Sequence, residues 1–269
     1  MQLETSKEPA RPGGGGPDRG KLPRTVVVLG ASRGLGRGIA AAFAGAGCHV
    51  VAVARDRTGL HTLASEASLD VRPCPGDATD ASLPARLVPA GEPSAVVLVA
   101  GAKPPTSSVH LLSWEEFSVN WHSDVQAAFV WVRAALSTPW PPNSQLVIVS
   151  SRAALGGSPI SGGYAGAKAT QRFVAGYAQQ ESERAGLGLM FTTVLPMLTP
   201  ATELGQEAIS AYAGRNQQSE AELVASMGPV LTPEIAGSAL VDVVRTAHAA
   251  DRSPTWELTG AGLQPVPAA

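Results

Sequence analysis

The chain has 269 residues, with 20 Lys plus Arg against 22 Asp plus Glu and a formal net charge of −2, a balance that argues against a protein built to grip nucleic acid. Only 16% of its residues are charged, below the usual ~25%, and 44% are hydrophobic, which excludes a wholly disordered chain. Two cysteines, Cys48 and Cys74, cannot build a disulfide framework or a four-thiolate metal site, and no apolar run of about 18 residues is present to cross a membrane.

From the N-terminus, residues 1–22 carry Pro9, Pro12, Pro17 and the run Gly13 to Gly16. They hold too little apolar surface to repay the entropy of ordering, and a flexible tail is expected there. The same tail lacks the apolar stretch of a secretion signal, so a soluble protein of the reducing cytoplasm is expected. RTVVVLGAS then reads as a buried strand, and GLGRGIAAAFAGAG as a helix stopped by glycines. HVVAVAR is a second strand and RTGLHTLASEA a second helix, while the prolines of DVRPCPGD assign a third strand to a sheet edge. SAVVLVAG and QLVIVSS are continuous apolar strands, with a long helical stretch from about Ser113 to Leu136 between them. A helix over Tyr164–Arg184 precedes the strand LMFTTVLP. ELTGAG is the last strand, and LQPVPAA, ending in the tail 265–269, is expected to be loose. Strands that alternate with helices and are apolar on both faces predict an α/β architecture, a doubly wound parallel sheet flanked by helices, in a single domain over 23–264. Connections are short except over 198–233.

Three groups of residues stand at strand ends or helix starts. The first, Gly30-Ala31-Ser32-Arg33-Gly34-Leu35-Gly36, joins the first strand to the first helix. Glycines there permit a tight turn and let backbone N–H groups approach a pyrophosphate at the helix N-terminus, although any tight strand–helix connection also uses glycine. A dinucleotide site that accepts a free ribose 2′-hydroxyl places a carboxylate at the end of the second strand. Here that strand ends at Ala54, followed by Arg55, and Arg33 reaches the same region from the glycine turn, a pattern that favours a 2′-phosphate and hence NADP(H). Asp56 is expected just past the strand, paired with Arg57 or solvent, and the plain alternative for the two arginines is an ordinary surface role.

Tyr164 and Lys168 are four residues apart and share one helix face. An ammonium beside a phenol draws its pKa down from about 10 toward that of a working general acid, although the pair is also common in ordinary helices. Ser150 and Ser151 end a strand at the sheet edge where ligands bind, and Gly156, Gly157, Gly162 and Gly163 let the following loop fold back toward Tyr164. A hydroxyl there can hold a substrate carbonyl; a serine that merely ends a strand is the alternative. The histidines show no metal spacing, His122 reads as a polar helix residue, and no nucleophile elbow or Walker loop occurs. Trp114, Trp121, Trp131 and Trp140 around the long helix read as core and subunit packing.

Taken together, GASRGLG, the IVSS strand end, Ser151, Tyr164 and Lys168 resemble the short-chain dehydrogenase/reductase family over residues 24–262. The resemblance implies a Rossmann-like fold, a nicotinamide cofactor and chemistry at a CH–OH/C=O group. It implies that Ser151 orients the substrate carbonyl, that Tyr164 moves the proton, and that Lys168 tunes the tyrosine and binds the nicotinamide ribose. Asn120 matches the family's asparagine, which supports a proton-relay water, and Asp77 the residue that meets the adenine amine. Ala78, Ala100, Gly101 and Pro196, with Tyr164 itself, complete the implied cofactor contacts. Two positions depart from the family pattern: Val99 replaces a sheet-bracing asparagine, and Met197 follows Pro196 where the family has glycine, so altered packing on the substrate side is expected. The implied activity is that of an NADPH-dependent carbonyl or keto reductase with Tyr164 as general acid. An NADP(H)-binding sensor or scaffold without turnover, and an alcohol dehydrogenase working in the oxidative direction, remain open. The implied partners are a small carbonyl or alcohol substrate and copies of the chain, as a homodimer or homotetramer, with no nucleic acid, membrane or metal. Residues 198–233 stand where the family's substrate-covering lid does.

Overall fold

The computed structural model describes residues 20–247 and 254–266, except 67–68, 89, 93 and 139, so most of the two expected tails lies outside the described residues. Seven strands run parallel: β1 (Thr25–Leu29), β2 (His49–Ala54), β3 (Val71–Pro75), β4 (Ser94–Leu98), β5 (Gln145–Val149), β6 (Met190–Pro196) and β7 (Thr255–Thr259). The sheet order is β3-β2-β1-β4-β5-β6-β7-β8, where β8 is Gly262–Pro265, with the proline-bearing β3 at one edge as expected. Alternate side chains explain why the strands read as unbroken apolar runs. Val26 and Val28 enter one core with Ile39 and Phe43 of α1 (Gly34–Gly45) and Leu240 and Val244 of α10 (Pro233–Arg245). Val27 and Leu29 enter the other, with Ala128 and Trp131 of α5 (Gln126–Ser137). Each such Val, Leu, Ile or Phe side chain, fully buried, contributes about 1.5–3 kcal/mol. Helices α1 and α10 pack backbone to backbone, since a Cβ on Gly38 would lie 2.3 Å from the Pro233 carbonyl oxygen.

The remaining helices are α2 (Arg57–Ala64), α3 (Leu83–Leu87), α4 (Trp114–Ser118), α6 (Ala153–Gly156), α7 (Tyr164–Arg184), α8 (Glu203–Asn216) and α9 (Glu220–Ser226). Two expectations need correction. The segment expected to be loose after the last strand forms β8 (Gly262–Pro265), antiparallel to β7 with Leu258 opposite Leu263. Gly262 takes a φ of +106° to reverse the chain, and Thr259 Oγ1 accepts the Ala261 N–H and donates to the Gly262 carbonyl. Its terminal Pro265 is tolerated because β8 is an edge strand. Second, the helical stretch from Ser113 is interrupted. Between α4 and α5 lies one π-helical turn, Trp121–Val125, in which the N–H groups of Asp124 and Val125 both donate to the Asn120 carbonyl. Such single-turn bulges concentrate at functional sites.

The chain crosses the sheet between β1 and β4, which are neighbours, and the connections from their C-terminal ends leave in opposite directions. Open α/β sheets bind ligands in the crevice this creates.

Candidate active site

A cavity of about 1510 Å³ opens over these strand ends. Single drug-sized ligands occupy roughly 300–1,000 Å³, so there is room for a dinucleotide and a second molecule. Its floor at β1 is the glycine turn. Gly30, Ser32, Arg33, Gly34, Leu35 and Gly36 all line the cavity. Arg33 stands in extended conformation before α1 and makes no side-chain cap, so the first N–H groups of a 12-residue helix have no side-chain acceptor of their own. A Cβ on Gly30 would lie 2.7 Å from the Ala100 nitrogen, and one on Gly36 only 2.1 Å from the Gly30 carbonyl oxygen. Both glycines are therefore needed for β1, α1 and the segment after β4 to meet. Gly36→Ala is expected to cost about 1–3 kcal/mol of stability and to weaken dinucleotide binding tenfold or more, because backbone must move to admit the methyl group. Urea unfolding and fluorescence titration with reduced nicotinamide dinucleotides read the two effects, and an unchanged protein by both would remove this role of the turn.

At the end of β2, Ala54 and Arg55 line the cavity as expected. Asp56 lies past the strand but pairs with neither Arg57 nor bulk solvent alone: it caps α2, accepting the Gly59 N–H at 3.1 Å. Arg33 reaches across to Glu203 of α8 at 3.0 Å, and Arg55 stands 3.9 Å from Asp77. Both arginines are largely exposed, and such ion pairs contribute only about 0–1 kcal/mol. Asp77 accepts the Thr79 N–H at 2.9 Å and its hydroxyl at 2.8 Å, bonds that hold its carboxyl below the usual carboxylate range, with Arg55 adding to the effect. Ala78 and Asp77 both line the cavity.

At β4, Val99 and Ala100 each donate an N–H to the Leu29 carbonyl, at 2.9 and 2.8 Å, so the backbone tie between β1 and β4 persists although residue 99 lacks an amide side chain. Met197 lines the cavity beside Pro196 while packing part of its side chain on the core below β6. Arg152 pairs with Glu257 at 2.8 Å on the same side. The stretch 198–233 holds α8 and α9. Glu207 of α8 pairs with Lys103, and Tyr212 of α8 meets the hydroxyl of Ser158.

Tyr164 and Lys168 on the first turns of α7, and Ser151 after β5, line the same cavity. Ser150 turns inward, donating to the Lys168 carbonyl at 2.7 Å, while Ser151 Oγ accepts the Ala153 N–H at 3.2 Å. The Lys168 Nζ stands 5.5 Å from the centre of the Tyr164 ring and donates to Gln171 Oε1 at 3.2 Å. It also lies 3.0 Å from Asp124 Oδ2, with both side chains buried. Burial alone pulls the lysine's proton affinity down, but the Asp124 charge, Tyr164 and the hydrogen bond to Asp124 outweigh it and hold Lys168 above its ordinary value. It is an ammonium at neutral pH.

Asn120 does not reach this group. It is wholly buried one turn earlier, donating from Nδ2 to the Ala102 carbonyl at 2.8 Å and to Asp124 Oδ1 at 3.4 Å, with its own Oδ1 unpartnered. The residue that meets Lys168 from this helix is Asp124, which sequence reasoning passed over. The available signal was a lone carboxylate in the otherwise uncharged run FSVNWHSDVQAAFVWV. His122 is exposed on the cavity wall, in keeping with its plain reading. The tryptophans divide: Trp131 is fully buried, edge-on to Trp140, and donates to the Ala78 carbonyl at 3.0 Å, whereas Trp114 and Trp121 are exposed. No cluster of metal-ligating side chains occurs among the described residues, and no helix among them is long and apolar enough to cross a membrane.

Comparison with known proteins places this geometry. The family model described as short chain dehydrogenase matches residues 24–212. Among solved structures, a short chain dehydrogenase from Mycobacterium avium is similar at 21% identity and a TM-score of 0.71, over 91% of this chain and 85% of that one. An actinorhodin polyketide ketoreductase variant, crystallised with NADPH, is similar at 20% identity and a TM-score of 0.73, over 89% of this chain and 97% of that one. No curated protein sequence matches. With its parallel sheet, glycine turn and Tyr164–Lys168 pair, the chain belongs to the short-chain dehydrogenase family, whose members are oxidoreductases that use nicotinamide cofactors.

Proposed function

We propose that this protein is an NADPH-dependent carbonyl reductase with Tyr164 as the general acid. The observation that carries the reading is that Tyr164, Lys168 and Ser151 face the same cavity that the uncapped start of α1 lines. A dinucleotide fits the residues present. The N–H groups at Gly34, Leu35 and Gly36 would take its diphosphate, Asp77 and Ala78 its adenine, and Ala100, Gly101, Pro196 and Lys168 its nicotinamide half. When bound, it supplies the hydride. Ser151 and Tyr164 would hold the substrate oxygen, and Tyr164 would give that oxygen its proton, with Lys168 fixed behind the ring. Met197 narrows the substrate side, and α8 and α9 would cover it as a lid. The NADPH carried by the ketoreductase relative supports both cofactor and reaction.

The choice of NADPH rests on Arg33 and Arg55, whose present partners are weak enough to exchange for a 2′-phosphate. Replacing both by alanine is expected to weaken NADPH by about 10–100-fold, the worth of charge-assisted hydrogen bonds, and NADH by less than about twofold. Equal losses for the two dinucleotides would refute the assignment. Turnover is tested by NADPH oxidation against a panel of aliphatic and aromatic ketones; binding of NADPH without oxidation by any of them would favour a non-catalytic sensor instead.

Assembly is read from the surface. Phe129 of α5 and Phe173 and Tyr177 of α7 are more than half exposed, and the last two stack at 6.4 Å. We take this apolar face as the contact of a homodimer or homotetramer, and the unpaired thiols Cys48 and Cys74 as suited to a reducing cytoplasm.

A further inference from the structure

The buried ion pair behind Tyr164 goes beyond what the reductase reading asks of the lysine, because the carboxylate that keeps a buried ammonium charged from 3.0 Å also opposes the pull of that ammonium on the phenol. Asp124 is built in with care. It is fully buried. Its Oδ1 accepts the Ala102 N–H at 2.8 Å, the Ser123 hydroxyl at 2.6 Å and an Asn120 N–H at 3.4 Å. Its Oδ2 has no hydrogen-bond partner beyond the facing ammonium. Its backbone carbonyl accepts the Gln171 side-chain N–H at 2.9 Å, and Gln171 in turn accepts from Lys168. Space is reserved for it, since a Cβ on Gly101 would come within 2.8 Å of Oδ2. The π-helical turn sets the carboxylate at this point, and Asn120, whose Nδ2 braces it, lies one turn away.

We propose that Asp124 is a positioning residue: its carboxylate fixes the Lys168 ammonium behind the Tyr164 ring and balances its charge. This rests on the reading of Tyr164 as the proton donor. Without the balancing charge, an ammonium at this range of a phenol in a partly buried site shifts its ionisation toward acid by about 1–2 pH units. With it, the pull of the ammonium on the phenol is weakened. The other titratable groups on this side of the cavity are His122 on the same turn, Lys103 after β4 paired with Glu207 of α8, and Arg152 after β5 paired with Glu257 of β7. The last two are paired already, and β5 itself brings only the neutral Ser150.

The test is an ultraviolet difference titration of tyrosine ionisation, which needs no substrate. The chain has three tyrosines, so subtracting the curve of a matching protein carrying Tyr164→Phe isolates Tyr164. In Asp124→Asn the isolated curve is expected to move about 1–2 pH units toward acid. An unmoved curve, or one displaced toward alkaline pH, overturns the proposal. Should Asp124→Asn fail to fold, the double variant Asp124→Asn/Lys168→Met replaces a buried ion pair by neutral groups, a change folds commonly accept. Its Tyr164 curve is expected within about half a unit of the wild type, since the native pair is already balanced, and an alkaline displacement of about a unit or more overturns the proposal. Ketone reduction by Tyr164→Phe is measured beside it. Retained reduction there with the titration as expected defeats only the role of Tyr164 as acid; lost reduction with an unmoved titration defeats only the role of Asp124.

Discussion

Lys168→Met is expected to lower unfolding stability by about 3–5 kcal/mol, far more than loss of a surface lysine. The methionine fills much of the space of the lysine stem, so packing is nearly kept. What is lost is the charge facing Asp124 Oδ2, at 3.0 Å, in a site where both side chains are buried. The carboxylate is then left without compensation in a poorly solvated pocket. Urea unfolding measures the effect as a lower midpoint at an unchanged m-value. The pH dependence derives from the raised proton affinity of Lys168. A lysine held above its unfolded value stabilises fully below that unfolded value, about 10.4, and the contribution fades only as pH rises through the folded one. The lysine's own share of the difference between wild type and Lys168→Met is therefore expected to hold across neutral pH and to shrink in strong alkali. A loss below about 1 kcal/mol at pH 7 would mean that the pair is solvated and that Asp124 places no constraint on the lysine.

Most of the fold was legible because the sheet is buried on both faces. RTVVVLGAS, SAVVLVAG and QLVIVSS have no polar alternation to confuse with a surface strand, and β1, β4 and β5 fall inside them. Helix α7 begins and ends at the residues expected from its pattern, Tyr164 and Arg184. β8 was missed for the opposite reason: GLQP has no β-branched residue and ends in proline, and only its pairing with β7 makes it a strand. The glycine turn, Arg55, Asp77, Ser151, Tyr164 and Lys168 all reach the cavity they were expected to line. Asn120 does not, because helical periodicity cannot register a π-helical turn. One extra residue in that turn rotates the rest of the helix, and a carboxylate four residues on arrives at the lysine instead. Similarly, Asp56 was expected to pair with Arg57 or solvent, and its geometry is that of a helix cap.

The proton on Tyr164 is the centre of the functional reading. A positioned general acid contributes about 10²–10⁴-fold to a rate, and phenylalanine removes the hydroxyl while keeping the ring that packs beside Lys168. The ring also leaves the glycine turn, Arg33, Arg55 and Asp77 untouched, so the dinucleotide should bind Tyr164→Phe as it binds the wild type. The deciding measurement is the single-turnover rate of NADPH oxidation by a ketone that the wild type reduces, with NADPH affinity measured on the same samples. The expected result is a rate lower by about 100-fold or more in Tyr164→Phe at an NADPH affinity unchanged within about twofold; equal rates in the two proteins would contradict the mechanism.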